Sequence, residues 1–144
     1  MQIYNTTKRV IPESQLVDTV HMVLKEEGFS LESIGAIYCG NRMIRRINRE
    51  FLEHDYATDT ITFRYNEGQE IDGEFYISLD VIEENATRFG TTFETELLRV
   101  TIHSVLHLIG YNDGTTEERQ AMTDREDHYL QQMKETPLKE TPAT

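Results

Sequence analysis

The sequence predicts a single α/β domain with four short strands and five helices. Its 144 residues are about the length of one domain. Strand-like and helix-like apolar patterns alternate along the chain, and no long repeat or interior linker interrupts them. We expect the domain to extend over residues 1–133. The tail from residue 134 to residue 144 has little apolar surface to bury, so we expect it to be disordered.

In the first half of the chain, strands are predicted to alternate with helices. Residues 2–5 form a short strand, and residues 11–27 form an amphipathic helix with Pro12 in its first turn and Gly28 just past its end. The apolar run at residues 33–40 indicates a central strand, in which Cys39 is expected to be buried. A second helix over residues 41–53 is expected to bury Met43, Ile44, Ile47 and Phe51.

The second half begins with a predicted hairpin. Residues 60–65 alternate polar and apolar side chains, which predicts a strand whose buried face carries Ile61, Phe63 and Tyr65. A turn over residues 66–73 leads to a partner strand at residues 74–79.

Three helices are predicted to follow the hairpin. They span residues 80–90, 92–109 and 115–133. The middle helix starts at an N-capping Thr92 and is apolar on most of its circumference, so it should be the most buried. The last helix has one thin apolar stripe and is expected at the surface; the stripe contains Met122, Tyr129, Leu130 and Met133.

The charge balance argues against a general polyanion binder. Twenty-six acidic and 14 basic residues give a net charge of -12, whereas affinity for nucleic acid depends largely on neutralising phosphates. An RNA-binding role therefore needs a local basic patch. The second helix offers one face carrying Arg42, Arg45, Arg46 and Arg49. A solvated face with intrahelical partners such as Glu53 is an equal alternative.

Several features predict a cytoplasmic protein. No apolar run approaches the roughly 18 residues of a membrane span. The N-terminus lacks the pattern of a secretory signal. The single cysteine cannot form an internal disulfide, which fits a reducing compartment.

The run HSVLHLIGYND at residues 103–113 predicts a metal site. His103 and His107 are four residues apart and so share one helix face. Gly110 can take the left-handed conformation that ends a helix, which lets the chain bring Asp113 to the same ion. Two imidazoles and a carboxylate, with one position left for water, are typical of catalytic zinc. The alternative is a pair of core histidines, with Asp113 capping the loop.

The residue after the first histidine bears on the reaction. Zinc proteases of the H-E-x-x-H type have a glutamate there as general base, but this chain has Ser104. A hydrolase that uses the metal-bound water more directly is therefore favoured. His128 could replace Asp113 as a ligand only if the last helix folded over the site.

The same run resembles the H-G-x-x-H-x-x-G-Y-D-H signature of the YbeY family of bacterial rRNA maturation factors. The resemblance extends upstream to INREFLEHDYATDTITF and GEFYISLDVIEENA, and it covers roughly residues 33–130. It implies a small mixed sheet flanked by helices. It also implies a zinc-dependent endoribonuclease that acts on single-stranded RNA, in maturation of the small-subunit rRNA 3′ end and in ribosome quality control. Ribosomal proteins are further candidate partners.

The resemblance places His103 and His107 on the first two metal ligands and Asp113 on the third, where the family motif has histidine. A carboxylate there still binds zinc but favours harder ions. Ser104 replaces the motif's glycine. An arginine of many members aligns with Leu52, so its RNA contact would fall to Arg49, Arg45 or Arg64, or be weaker here.

The expected mechanism is attack on a phosphodiester by a water whose pKa the metal lowers. Three weak candidates for a supporting catalytic role are His54, Asp59 and Glu126, each more readily explained as a loop cap or surface charge. Two other functions remain open: a metal-stabilised ribosome-assembly factor that does not cut RNA, and a minimal zinc protease.

Overall fold

The order of strands and helices follows the prediction. A computed structural model describes residues 1–54 and 58–135. Within that part of the chain the elements are β1 (Gln2–Asn5), α1 (Glu13–Glu26), β2 (Ser30–Cys39), α2 (Asn41–Leu52), β3 (Thr60–Arg64), β4 (Glu70–Ser78), α3 (Leu79–Phe89), α4 (Phe93–Leu108) and α5 (Thr116–Glu135). Most of the predicted disordered tail, residues 136–144, lies outside the described residues. No described helix is long and apolar enough to cross a membrane.

The four strands form one mixed sheet in the order β1-β2-β4-β3. β1 runs parallel to β2, and β2 runs parallel to β4. β3 is antiparallel to β4, with Thr62 opposite Phe75, so the predicted hairpin is confirmed. β3 is therefore an edge strand, and the helices on either side of the sheet complete a single α/β domain of the expected class.

The main core lies between one face of the sheet and helices α1, α3, α4 and α5. Alternate residues of the central strands, such as Tyr38, Phe75 and Ile77, point into this core. Helix α4 packs against α1, α3 and α5. Ten of its sixteen residues are buried, more than in any other described helix. The prediction that α4 is the most buried helix is confirmed.

The opposite face of the sheet is covered by α2. Ile44 and Ile47 of this helix pack with Cys39 and Ile61 in a second, smaller cluster. Cys39 is fully buried, as predicted. This burial and, to a smaller extent, the nearby charge of Asp80 raise the pKa of its thiol to about 12. Helices α2 and α4 therefore lie on opposite faces of the sheet.

Two predicted core residues are exposed instead. Phe51 has 63% of its surface exposed and Tyr65 has 59%. Phe51 lies in the last turn of α2 and meets Phe63 edge to face rather than entering the core. Tyr65 follows the end of β3, and its hydroxyl donates to Glu74 at the surface. In both α2 and β3 the apolar pattern continues beyond the residues that pack against other elements. The pattern alone therefore overestimates burial at these two ends.

The predicted start of β4 is also wrong. The strand begins at Glu70, four positions before the expected residue 74, and Gly73 lies inside it. A Cβ atom at Gly73 would approach the carbonyl oxygen of Phe63 to 2.5 Å and Leu108 to 3.1 Å. Glycine at this position therefore marks a close approach of β3 and α4, as isolated strand glycines often do, rather than a turn.

Candidate metal centre

Helix α4 carries the two histidines, and both of its ends form as the sequence predicts. The Thr92 hydroxyl accepts a hydrogen bond from the Thr95 backbone N–H at 3.0 Å, which caps the first turn. At the other end Gly110 has a φ of +112°, in the region that favours glycine. The Gly110 and Tyr111 N–H groups donate back to carbonyls of the last turn, so the chain reverses directly after the second histidine.

This reversal brings the three predicted ligands together. The Asp113 Oδ2 atom lies 3.2 Å from His107 Nε2 and 3.7 Å from His103 Nε2. The two imidazole rings meet edge to face, with centroids 4.6 Å apart. One possible ligand atom from each residue lies within 4.8 Å of the others. No other such group occurs among the residues that the structure describes.

This donor set fits a transition metal ion. Two imidazole nitrogens and one carboxylate oxygen are a common catalytic zinc set, and a fourth position remains for water or substrate. The histidine side chains are 22% and 24% exposed and that of Asp113 is 48% exposed, so solvent and substrate can reach the cluster. The arrangement could hold one metal ion at an open site.

Ser104 points away from this cluster. Its side chain is fully buried, and its hydroxyl bonds to the Val100 carbonyl and to Thr60 of β3. The position where zinc proteases carry a general base therefore faces the sheet.

Glu126 of α5 lies behind the first histidine. Its Oε2 atom is 2.6 Å from His103 Nδ1, and its Oε1 atom accepts a bond from Arg99 at 3.0 Å. Only 9% of the Glu126 side chain is exposed. The interpretation of Glu126 as a surface charge is therefore wrong, because α5 covers this flank of α4 and buries the carboxylate.

These neighbours determine the proton affinity of His103. Burial lowers the pKa of His103, but the hydrogen bond and charge of Glu126, with the charges of Asp59 and Asp113, outweigh it. The pKa therefore lies above the ordinary histidine value. The carboxylates around His103 make the site negatively charged, which favours the binding of a cation.

A second carboxylate supports the loop that carries Asp113. The Tyr111 hydroxyl donates to Glu27 at the end of α1 at 2.9 Å, and Arg125 and Tyr129 of α5 donate to the other oxygen of Glu27. Burial alone would raise the pKa of Glu27, but the bonds from Tyr129, Arg125 and Tyr111 and the charge of Arg125 lower it. Glu27 therefore joins α1, α5 and the ligand loop.

The remaining candidates are Asp59, His54 and His128, which have other surroundings. Asp59 caps the start of β3, where its carboxylate accepts the Thr60 N–H, and its charge acts on His103. His54 is exposed just after α2. Helix α5 does fold over the site, but His128 bonds to Glu26 of α1 at 3.4 Å instead of approaching the cluster.

The predicted RNA-binding arginines are not gathered around the metal cluster. Arg42, Arg45, Arg46 and Arg49 are exposed on α2, across the sheet from α4. Arg64 lies on the α4 side, but its guanidinium bonds to Asn66 and to the Leu108 and Gly68 carbonyls. It joins the β3–β4 turn to the C-terminal end of α4. Leu52 is 43% exposed at the end of α2.

Two residues of the site, Arg99 and Glu27, are not among the candidates that the sequence indicates. Arg99 lies four residues before His103, a spacing that places both side chains on one helix face. That spacing is a usable signal. Glu27 left no local signal, because its partners lie 84 to 102 positions away.

Comparison with known proteins gives one consistent result. A family model described as endoribonuclease YbeY matches residues 2–134. A relative from Chlorobaculum tepidum named endoribonuclease YbeY is 67% identical, with 93% of this chain and 98% of the relative covered. One of the same name from Chlorobaculum parvum is 66% identical, with 93% and 95% covered. The solution structure of a Thermotoga maritima protein is 29% identical with a TM-score of 0.67, over 92% of this chain and 89% of the other. This chain therefore belongs to the endoribonuclease YbeY family.

Proposed function

We propose that this protein is a zinc-dependent endoribonuclease that cuts single-stranded rRNA during maturation of the small-subunit 3′ end and in ribosome quality control. The observation that carries the proposal is the approach of His103, His107 and Asp113 ligand atoms to within 4.8 Å of one another. The relatives named endoribonuclease support the reaction class. The small ribosomal subunit and its proteins are the proposed partners.

His103, His107 and Asp113 are the residues that would hold the ion. A zinc ion there would supply an activated water at neutral pH and would stabilise charge on a phosphoryl oxygen. The chain's own contribution is preorganisation. Gly110 reverses the backbone, the Tyr111–Glu27 bond holds the loop that carries Asp113, and partial exposure of the cluster lets an RNA strand reach it.

Of the three weak catalytic candidates, Asp59 fits a supporting role best. The two carboxylate oxygens of Glu126 already bond to His103 and Arg99. His54 lies at the exposed end of α2. Asp59 is partly exposed, and its charge acts on His103. We assign it the role of a proton acceptor near the cluster, which Asp59→Asn would remove without changing side-chain size.

The exposed arginines of α2 are the proposed contacts to RNA phosphates. Their position across the sheet from α4 means that an RNA strand would contact them outside the metal cluster. Replacing Arg42 and Arg46 with glutamine should then weaken RNA binding and reduce its salt dependence, with little change in the cleavage rate of bound RNA.

The test uses the full chain loaded with zinc and an RNA that contains the 3′ end of a small-subunit rRNA precursor. His103→Ala and His107→Ala should each slow cleavage at least about a hundredfold, because losing a ligand removes several kcal/mol of transition-state stabilisation. His21→Ala is the matched control, since His21 is exposed on α1.

Three outcomes would contradict the proposal. Cleavage that persists in both ligand variants would point to a contaminating nuclease. RNA binding without cleavage would favour the assembly-factor alternative. Cleavage of an unfolded protein substrate with RNA left intact would favour the protease.

A further inference from the structure

We propose that Glu126, held by Arg99, is a positioning residue that selects the tautomer of His103 able to bind metal. The inference rests on the proposed function, because it concerns one ligand of that site. It goes beyond the three ligands to a carboxylate from a different helix, 23 positions further along the chain.

The hydrogen-bonding chemistry of the pair determines where the proton lies. An ionised carboxylate only accepts hydrogen bonds, so His103 Nδ1, 2.6 Å from Glu126 Oε2, must be the donor. In a neutral imidazole the other nitrogen then carries a lone pair. That nitrogen, Nε2, is the one that faces Asp113. The Glu126 bond therefore leaves a free lone pair at the atom that would coordinate the ion.

Arg99 holds the carboxylate in this orientation. Its Nη1 atom donates to Glu126 Oε1 at 3.0 Å, while its Nη2 atom donates to Asp127 at 2.7 Å. One oxygen of Glu126 is thus taken by Arg99 and the other by His103. Glu126 is also largely buried, which strengthens both bonds by excluding water.

Glutamine at position 126 provides a sharp test, because it has the same size but one oxygen and one NH₂ group. Arg99 only donates, so it would take the oxygen and turn the NH₂ group toward His103. Nδ1 would then accept, the proton would move to Nε2, and the nitrogen facing Asp113 could no longer bind metal.

The adjacent residue supplies a matched control. Asp127 is bound to the same guanidinium, but its side chain is 59% exposed. Asp127→Asn changes the charge beside Arg99 as Glu126→Gln does, while the bond between Glu126 and His103 stays in place.

The experiment titrates Zn²⁺ into metal-free full-length protein against a chromophoric chelator and records the Co²⁺ absorption spectrum. Glu126→Gln should bind Zn²⁺ about 10–100-fold more weakly than wild type and give an altered Co²⁺ spectrum. Asp127→Asn should stay within about threefold of wild type. Equal Zn²⁺ affinity in wild type and Glu126→Gln, or an equal loss in both variants, would overturn the inference.

A second measurement needs no variant at position 126. Long-range ¹H–¹⁵N NMR of the metal-free wild type, with His103 assigned from His103→Gln, reports the tautomer directly. A proton on Nδ1 of neutral His103 is expected, and a proton on Nε2 would overturn the inference. A wild type that binds no Zn²⁺ would instead contradict the proposed function, while the NMR result would still decide the tautomer.

Discussion

The hydroxyl oxygens of Ser104 and Thr60 lie 2.7 Å apart. Ser104 directly follows His103, the first candidate ligand. This bond joins α4 to the edge strand β3 in a fully buried part of the helix. Position 104 therefore belongs to the contact between helix and sheet, whereas the preceding residue, His103, faces the other candidate ligands. The histidine motif thus has one side for the ion and another for the sheet.

Ser104→Glu should destabilise the protein and should not create a peptidase. The new carboxylate would replace a small hydroxyl that is buried against β3, at a cost of about 3 kcal/mol or more. Urea denaturation measures the loss. Ser104→Gly, which restores the family motif, should cost less, about 1–3 kcal/mol, for the two lost hydroxyl bonds and for glycine inside a helix. A stable Ser104→Glu variant that cuts peptides would contradict this assignment.

Gly73→Ala should weaken both the fold and metal binding. The added Cβ atom would meet the Phe63 carbonyl at 2.5 Å, so β3 must move. Overpacking of this kind costs about 1–3 kcal/mol or more, measurable as a lower free energy of unfolding. Movement of Leu108 would also disturb His107, its neighbour in α4, and so raise the Kd for Zn²⁺.

Gly35→Ala is the control for Gly73→Ala. Gly35 lies in β2 of the same sheet, and its added Cβ would meet nothing closer than 3.6 Å, an ordinary contact. We expect a change within about 0.5 kcal/mol. Equal losses in the two variants would show that the cost comes from glycine replacement in strands rather than from the close approach.

Glu27→Gln should lose stability in a pH-dependent way. The pKa of folded Glu27 is lowered from an ordinary value of 4.5. Its ionised form therefore contributes stability that is fully present above about pH 4.5 and is lost as the pH falls through the lower folded-state pKa. Relative to wild type, the variant should be about 1–3 kcal/mol less stable at pH 7, because bonds to a charged group are lost.

Unfolding free energies between pH 3 and pH 7 should show this difference shrinking as the pH falls. Glu26→Gln is the control, since Glu26 is its neighbour and its hydrogen bonds to described residues are longer, 3.4 Å to His128 and 3.3 Å to Gln132. A difference between wild type and Glu27→Gln that stayed constant down to pH 3 would mean that charge on Glu27 contributes nothing.

Asp113→His should increase the preference for zinc over manganese. A carboxylate suits harder ions, whereas imidazole favours zinc, so the ratio of the Mn²⁺ Kd to the Zn²⁺ Kd should rise about tenfold or more. Competition titrations on wild type and variant measure the ratio. Asp113→Asn, which keeps the size but removes the charge, should weaken binding of both ions. An unchanged ratio in Asp113→His would indicate that Asp113 is not a ligand.

The predictable part of the site is local in sequence. The four-residue spacing of His103 and His107 and the glycine that ends α4 depend on helix geometry, which holds in any fold. Glu126 was a weak catalytic candidate, but its contact with His103 and the role of Glu27 could not be predicted in this way, because tertiary packing alone brings α5 and α1 to the site. The start of β4 was missed for a similar reason: Gly73 is required by a neighbouring strand and helix, not by its own segment.

Helix α5 supports the candidate site through two adjacent residues, Arg125 and Glu126. Glu126 holds the first histidine directly, and Arg125 holds Glu27, which in turn holds the loop that ends in Asp113. A shift of α5 would therefore loosen both ends of the ligand set together. Metal release and detachment of α5 should consequently form one cooperative event.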